Sequence, residues 1–292
     1  MENPMSEQSG IWAKSVLASQ HSIIGKRIDT LLVRMPRCIL AEFNTHRVFS
    51  RNAASSRAIP VEKLINQVEN DPFIPMVWTK NKPGMQGEVE TRLGEIDELR
   101  HLWNLARVDA VHSVNTLLRR GVHKQIANRI LEPWMFTIVL VTATEWDNFF
   151  ALRDHPAAEP HMQLLARAIR NARDIALVQK LEPGEWHMPF LDELMNSDYY
   201  SADKLKQNQI LSVARCASTS YKTVDNFDMT LERATKIYDS MLSYPMHASP
   251  FEHVAQADAL SRNFGFTEGE YDYPHEHRNF IGFRQLRAQI EP

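Results

Sequence analysis

The segment His46-Arg47-Val48-Phe49-Ser50-Arg51-Asn52-Ala53-Ala54-Ser55-Ser56-Arg57 sets three arginines, a histidine, an asparagine and three serines within one short stretch. Arginine forks and serine hydroxyls are the donors that hold phosphate oxygens. Arg34, Arg37, Arg47, Arg51 and Arg57 face only Glu42 between positions 34 and 57, so the stretch is locally basic in an acidic chain. A solvated basic loop rarely joins so many short hydroxyl and amide donors to its arginines without balancing acids.

Two further groupings carry polar chemistry. His247-Ala248-Ser249-Pro250-Phe251-Glu252-His253 sets two histidines around a glutamate. A zinc site of the H-E-x-x-H kind needs its ligands on one helix face, and Pro250 opposes a regular helix there, so no metal is expected. The third grouping is Asn128-Arg129-Ile130-Leu131-Glu132-Pro133 followed by Trp146-Asp147-Asn148-Phe149-Phe150-Ala151-Leu152-Arg153. Arg129 and Arg153 close apolar elements, where an arginine either snorkels to solvent or points into a ligand site. There is no P-loop, no G-x-G-x-x-G and no G-x-S-x-G, so the usual nucleotide-hydrolase, dinucleotide-fold and serine-hydrolase readings lack their signals.

The elements that position these groups are partly readable. Ile28 to Val33 reads as a buried strand, and Arg37 to Asn44 starts a helix after Pro36. Leu93, Ile96, Leu99, Leu102, Leu105, Val108, Val111, Val114 and Leu118 recur at helical spacing and predict one long amphipathic helix ended by Gly121. A short helix over Lys124 to Leu131 stops before Pro133. Met135 to Ala143 reads as a strand, with Thr144 as N-cap of a helix running to Arg153. Ala158 to Lys180 reads as another long helix. A loop-rich joint covers Leu181 to Ser201, and helices follow over Gln209 to Tyr221 and Met229 to Leu242. Ser249 to Ala259 is expected to be extended and 263–278 a polar loop.

The chain has 292 residues, of which 43% are hydrophobic and 24% charged, with a net charge of −3. These values suit a globular protein and oppose general nucleic-acid or membrane-surface binding. Two cysteines, Cys38 and Cys216, exclude a disulfide scaffold or a cysteine-rich zinc module. The longest apolar run, Trp134 to Val141, is too short to span a bilayer. Met1 to Gly10 lacks an apolar signal core, so a cytoplasmic location is expected. The expected organisation is a disordered tail over 1–10, a core over 11–181, and a C-terminal segment over 182–292 that completes the site.

Together the groupings resemble the flavin-dependent thymidylate synthases, the ThyX family. The family signature R-H-R-x(2)-S-x-N-E-x-S-x-R aligns without a gap to Thr45 through Arg57, departing where Thr45 replaces the first arginine and Ala53 the glutamate. Arg129 to Pro133 resembles its R-x-x-x-P segment and Asn148 to Arg153 its N-F-L-x-L-R segment. Ala158 to Met162 resembles its A-Q-x-E-I. Two segments that precede the signature in the family come last here: Ala214 to Tyr221, like A-R-x-S-[YF], and His247 to His253, like H-x-[ST]-P-[FL]-E-H. This order suggests a circular permutation or partial duplication. Phe283-Arg284-Gln285-Leu286-Arg287 resembles the family's R-Q-x-x-R, with Arg287 one position early, and could restore groups that the N-terminal copy lacks.

The resemblance implies an α+β fold with a mixed or antiparallel sheet and long helices in permuted order, and a homotetramer with sites shared between subunits. It implies that His46, Arg47, Asn52, Asn148, Ser220, His247, Ser249 and Glu252 contact FAD. Ser55, Ser56, Arg57, Arg129 and Gln285 would hold dUMP, and Arg153 would polarise the uracil. Methylenetetrahydrofolate would donate the carbon and NADPH the reducing equivalents, with no enzyme nucleophile. The two signature departures keep open a different product, such as a hydroxymethylated nucleotide. A homologue that binds nucleotide or RNA without catalysis is the reading from another class.

Overall fold

A computed structural model describes residues 10–85, 87, 93–191, 201–218, 229–261 and 270–291. Its main sheet has five strands: β1 (Trp12–His21), β2 (Arg27–Pro36), β3 (Ser50–Ala53), β4 (Phe136–Ala143) and β5 (Val178–Leu181). Their order is β3-β4-β2-β1-β5. All neighbours are antiparallel except β5, which runs parallel to β1. A smaller antiparallel sheet joins β6 (Trp186–His187), β7 (Ala255–Ala257) and β8 (Phe283–Gln285). The class is α+β, with a mixed main sheet and long helices.

The central strands β2 and β4 are covered on both faces, which is why they read as nearly continuous apolar runs. Short helices at Arg37–Ile39 and α1 (Leu40–Phe43) follow Pro36, as the sequence predicts. Helix α2 (Val61–Asn70) and the long α3 (Leu93–Arg119) build a second core with Leu131 and Trp134. Helix α4 (Lys124–Ala127) continues as a 3₁₀ turn over Asn128–Trp134 that passes through Pro133. Helix α5 (Asp147–Arg153) and α6 (Pro160–Asp174) close over the main sheet, burying Phe149, Phe150, Met162, Leu165 and Ile169 with Trp146.

Several expectations change. Strand β1 was not legible, because Lys14, Ser15, Ser19 and Gln20 break its apolar alternation and a bulge between Ser15 and Leu17 shifts its phase. The helix expected to reach Lys180 ends at Asp174, and the chain then extends into the edge strand β5. Thr144 does not cap α5. Trp146 occupies that position, and Thr144 Oγ1 accepts from the backbone N–H of Ile281 (3.1 Å). Ser249 to Ala259 is a 3₁₀ turn (Ser249–Glu252) followed by the short β7. In the polar stretch 263–278, Pro274–Glu276 forms a 3₁₀ turn. Residues 1–9 of the expected tail lie outside the described residues, as do 192–200 of the joint and 262–269.

The C-terminal part is built from α7 (Ala202–Ser218), α8 (Leu231–Leu242), the second sheet and α9 (Leu286–Ile290). It is sewn to the main sheet at many points. Ile28 and Leu181 pack with Ala255, Ala257, Phe280 and Phe283. His21 Nε2 lies 2.7 Å from the carbonyl oxygen of Asp258, and Asn279 Nδ2 donates to the carbonyl of Val48 (2.8 Å). Among the described residues no helix is long and apolar enough to cross a membrane.

Candidate functional site

Strand β3 lies at the sheet edge in register with β4, with Ser50 opposite Thr142 and Ala53 opposite Val139. Beyond it the chain enters a turn, closed by the Ala58 N–H donating to the Ser55 carbonyl (3.0 Å), which divides the next residues between two sides. Ser55 and Arg57 line a cavity of about 710 Å³, whereas Ala54 and Ser56 line a smaller one of about 120 Å³ with Arg34 and Arg37. The Ser56 hydroxyl donates to Glu132 Oε1 (2.6 Å). Arg129 Nη1 donates to the same oxygen (2.9 Å). Two of the residues expected at the substrate therefore sit on Glu132 and away from the larger cavity.

The larger cavity lies between the signature and the C-terminal part. Asn52, Ala53, Ser55 and Arg57 form one wall; Ala217 and Ser218 at the end of α7, with His247, Ser249 and Pro250, form another. Asn52 Nδ2 donates to the carbonyl of Cys216 (2.7 Å), satisfying an acceptor at the helix end. Helix α8 presents Arg233, Ile237 and Met241 to the cavity at four-residue intervals. Arg57 is exposed and makes no hydrogen bond or ion pair with any described residue. The cavity thus carries two guanidinium groups, hydroxyls, two amides and an imidazole over an apolar floor, which matches a phosphate-bearing ligand with a planar ring.

A second cleft of about 450 Å³ opens beside β3, lined by Arg47, Phe49, Arg51, Glu252, Arg278, Asn279, Gln285 and Arg287. Gln285 is buried, donating from Nε2 to Asn279 Oδ1 (2.5 Å) and to Ser50 Oγ (3.3 Å). Arg287 Nη1 pairs with Glu252 Oε1 at 2.5 Å. Burial lowers the pKa of Arg51, while Glu252 opposes that shift. Arg47 is exposed and without a described partner. Four arginines meet two carboxylates, Glu252 and Glu291, the latter paired with Arg278 (3.3 Å) and Arg287 (2.7 Å), so the cleft keeps a positive balance centred on Arg47 and Arg51.

His46 and Arg153 meet at the start of the signature. Arg153 Nε donates to His46 Nε2 (2.9 Å), Nη1 pairs with Glu42, and Nη2 donates to Thr45 Oγ1 (3.3 Å). The His46 ring packs between Phe49 and Phe149. Burial first, then the charges of Arg153 and Arg51, push its pKa down to about 4, so the ring is neutral near pH 7 and accepts at Nε2. The arginine expected to face a substrate ring is turned onto the signature itself. Asn148 is exposed on α5 and lines neither cavity. Ser220 lies outside the described residues.

Sequence reasoning missed Gln125, Arg233, Ile237 and Met241 in the larger cavity and Arg278 and Asn279 in the cleft. It also left Glu42 without a role. The four-residue spacing on α8 was the available signal for three of them. Among the described residues no cluster of His, Cys, Asp or Glu is arranged to hold a metal ion.

The α+β architecture thus places at its signature strand a cavity suited to a phosphate-bearing ligand. Residues 4–176, more than half of the chain, match the family described as thymidylate synthase complementing protein, and the chain belongs to that family. It is thereby of the thymidylate synthase type. No curated protein matches it. Solved structures similar to it include the UMP/dUMP methylase PolB from Streptomyces cacaoi bound with 5-Br dUMP, at 17% identity over 56% of this chain and 90% of that one, with a TM-score of 0.47. The same enzyme bound with 5-Br UMP is 17% identical over 56% of this chain and 89% of that one, with a TM-score of 0.45.

Proposed function

We propose that this protein is an FAD-dependent thymidylate synthase that methylates dUMP, with methylenetetrahydrofolate as carbon donor and NADPH as reductant. The observation that carries the reading is Arg57, without a partner among the described residues, beside Ser55 and facing His247, Ser249 and Arg233 across one cavity. The donor set fits the groups required. Arg57, Ser55 and Arg233 would hold a phosphate, and Ile237, Met241 and Pro250 would cover a planar ring. His247, Ser249 and the side-chain Oδ1 of Asn52 would meet the polar edge of a flavin, with the cleft of Arg47 beside them. Flavin, when bound, supplies the hydride equivalent; the residues of this chain bind, orient and neutralise charge.

Ser249 and Glu252 belong to one turn that borders both the cavity and the cleft. This supports reading the C-terminal segment as the completion of the site in permuted order. A homotetramer with shared sites would bring Arg129 and Arg153 of one subunit to the cavity of another. The exposed stripe Leu102, Leu105 and Val108 on α3 is suited to burial in such an assembly.

Ala53 lines the cavity where the family signature has a glutamate. That loss of a carboxylate keeps hydroxymethylation as a second reading of the product. An absorbance spectrum of the purified protein, with and without dUMP, tests the flavin reading. Flavin bands that respond to dUMP are expected; a colourless protein that still binds nucleotide would support a binding protein without catalysis. Product analysis separates methylation from hydroxymethylation.

Replacing Arg57 by alanine should leave the fold intact and weaken dUMP binding on the order of 10- to 100-fold, the scale of a lost charge-assisted contact. An unchanged dissociation constant in titration calorimetry would remove Arg57 from the site. A chain ended near Lys180 should be colourless or insoluble. Ile28 would lose the cover of Leu181, Ala255, Ala257, Phe280 and Phe283, and Thr30 and Thr142 would lose their imidazole partners. A folded yellow protein with full FAD occupancy would show that the C-terminal segment is dispensable to the flavin site.

A further inference from the structure

A string of side-chain hydrogen bonds crosses the core between the two sheets. Gln179 Nε2 donates to Ser19 Oγ (3.0 Å), which lies 2.7 Å from His187 Nδ1. His187 Nε2 lies 2.8 Å from Thr30 Oγ1, and Thr30 Oγ1 lies 2.7 Å from Thr142 Oγ1. Thr142 Oγ1 in turn lies 2.8 Å from His253 Nδ1. Ser19, Thr30, Thr142, His187 and His253 are all fully buried, and His253 Nε2 has no hydrogen-bond partner among the described residues.

Each hydroxyl and each neutral imidazole brings one hydrogen to this string. Four bonds from Ser19 to His253 use four of the five hydrogens, so the arrangements differ in which group keeps its hydrogen outside the string. When His253 keeps its own, Ser19 donates to His187 Nδ1, His187 Nε2–H to Thr30, Thr30 to Thr142, and Thr142 to His253 Nδ1. When Ser19, Thr30 or Thr142 keeps its own, His253 donates from Nδ1 and one buried hydroxyl hydrogen is left without an acceptor among the described residues. Only the first arrangement uses every hydroxyl hydrogen, including that of Ser19, which already accepts from the Gln179 amide, and in it both rings carry hydrogen on Nε2.

We propose that this relay locks His187 and His253 together as Nε2–H tautomers, and that His253 is a positioning residue for the Ser249–Glu252 turn of the site. His253 follows that turn directly, so the relay ties Ser249 in the cavity and Glu252 in the cleft to β1, β2 and β4. The lock leaves one buried N–H donor at His253 Nε2, suited to an acceptor such as an ordered water. Burial depresses the pKa of both rings to about 3, which keeps them uncharged near neutral pH. The effect on ligand binding rests on the dUMP reading; the tautomer lock does not.

Long-range proton–nitrogen correlation of ¹⁵N-histidine-labelled protein at pH 7 reads the tautomers directly. Both rings should show hydrogen on Nε2. Opposite tautomers, an Nδ1–H pair or a charged ring would overturn the lock. Thr142→Val removes the link while keeping the side-chain shape, and Thr142→Ser restores the hydroxyl. The valine variant should change both ring signals and weaken dUMP binding about fivefold, the factor that corresponds to roughly one net hydrogen bond, with serine rescuing both. Unchanged dUMP affinity in the valine variant would overturn the positioning role. If valine does not fold, the serine and wild-type spectra still decide the lock. Nε2–H rings in a wild-type protein that binds no dUMP would refute the substrate reading while leaving the lock standing.

Discussion

Arg153→Lys should lower turnover of dUMP by at least about a hundredfold, the scale of a lost preorganised donor, while flavin stays bound. Arg153 spreads its planar fork over three partners: His46 Nε2, Glu42 and Thr45 Oγ1. A guanidinium has five N–H donors, and these contacts leave donors over for a ligand. Lysine keeps the charge and can answer Glu42, but one compact ammonium cannot also reach His46 and Thr45 in the same geometry. His46 Nε2 would then lose its donor among Phe49 and Phe149. In the proposed reaction, negative charge grows on a uracil carbonyl oxygen as hydride adds, so a fixed cation lowers the barrier more than it strengthens binding. The fall should therefore be concentrated in kcat, with a smaller rise in KM. A purely structural arginine predicts instead a lower melting temperature with turnover per folded molecule preserved. Wild-type turnover in the lysine variant would place Arg153 outside the active site.

What the sequence disclosed, and what it withheld, follows from the range of the interactions involved. The long helix α3 was legible because its apolar spacing is a local property, and β2 and β4 because strands covered on both faces are apolar throughout. Strand β1 was not, since its polar residues are explained by partners far along the chain: Ser19 meets His187. The signature's residue types were readable, but their sides were not. Ser55 and Ser56 look equivalent in sequence, and only the turn after β3 sends one to the cavity and the other to Glu132. Arg129 was assigned by its place in a motif, while Glu132, three residues on, was the nearer partner. Glu42, the sole acid in its basic stretch, was visible as an exception; that it holds Arg153 required the fold. The seven residues from His247 to His253 illustrate the division. Their chemistry was apparent as two histidines around a glutamate. Their division into cavity, cleft and buried relay was not apparent, because three consecutive functions fall on one short turn.

Stability should fall steeply as pH drops below about 6.5. His187 and His253 are fully buried, and burial holds both pKa values down to about 3, with the nearby His253 ring adding to the shift at His187. In the unfolded chain the same rings titrate near 6.5. Between these values the unfolded state binds more protons than the folded state, so stability rises with pH across the window and is lost as pH falls through it, levelling off below about 3. Taking the pKa near 3 in the fold and 6.5 without it, each ring should cost about 2 kcal/mol of stability between pH 7 and pH 5, roughly 4 kcal/mol for the two. That is a large part of the ordinary stability of a domain. His46, pushed down to about 4, acts in the same direction. The effect has a structural site: charging either ring would force a change of hydrogen-bond direction in the buried string that joins β6 and the Ser249–Glu252 turn to the main sheet. The C-terminal part should therefore loosen first. Urea unfolding at pH 7, 6 and 5 measures the loss, and hydrogen exchange at amides of β6 and β7 locates it. Midpoints that do not move between pH 6.5 and 5 would mean that the rings are already charged in the fold, or are not buried as a pair.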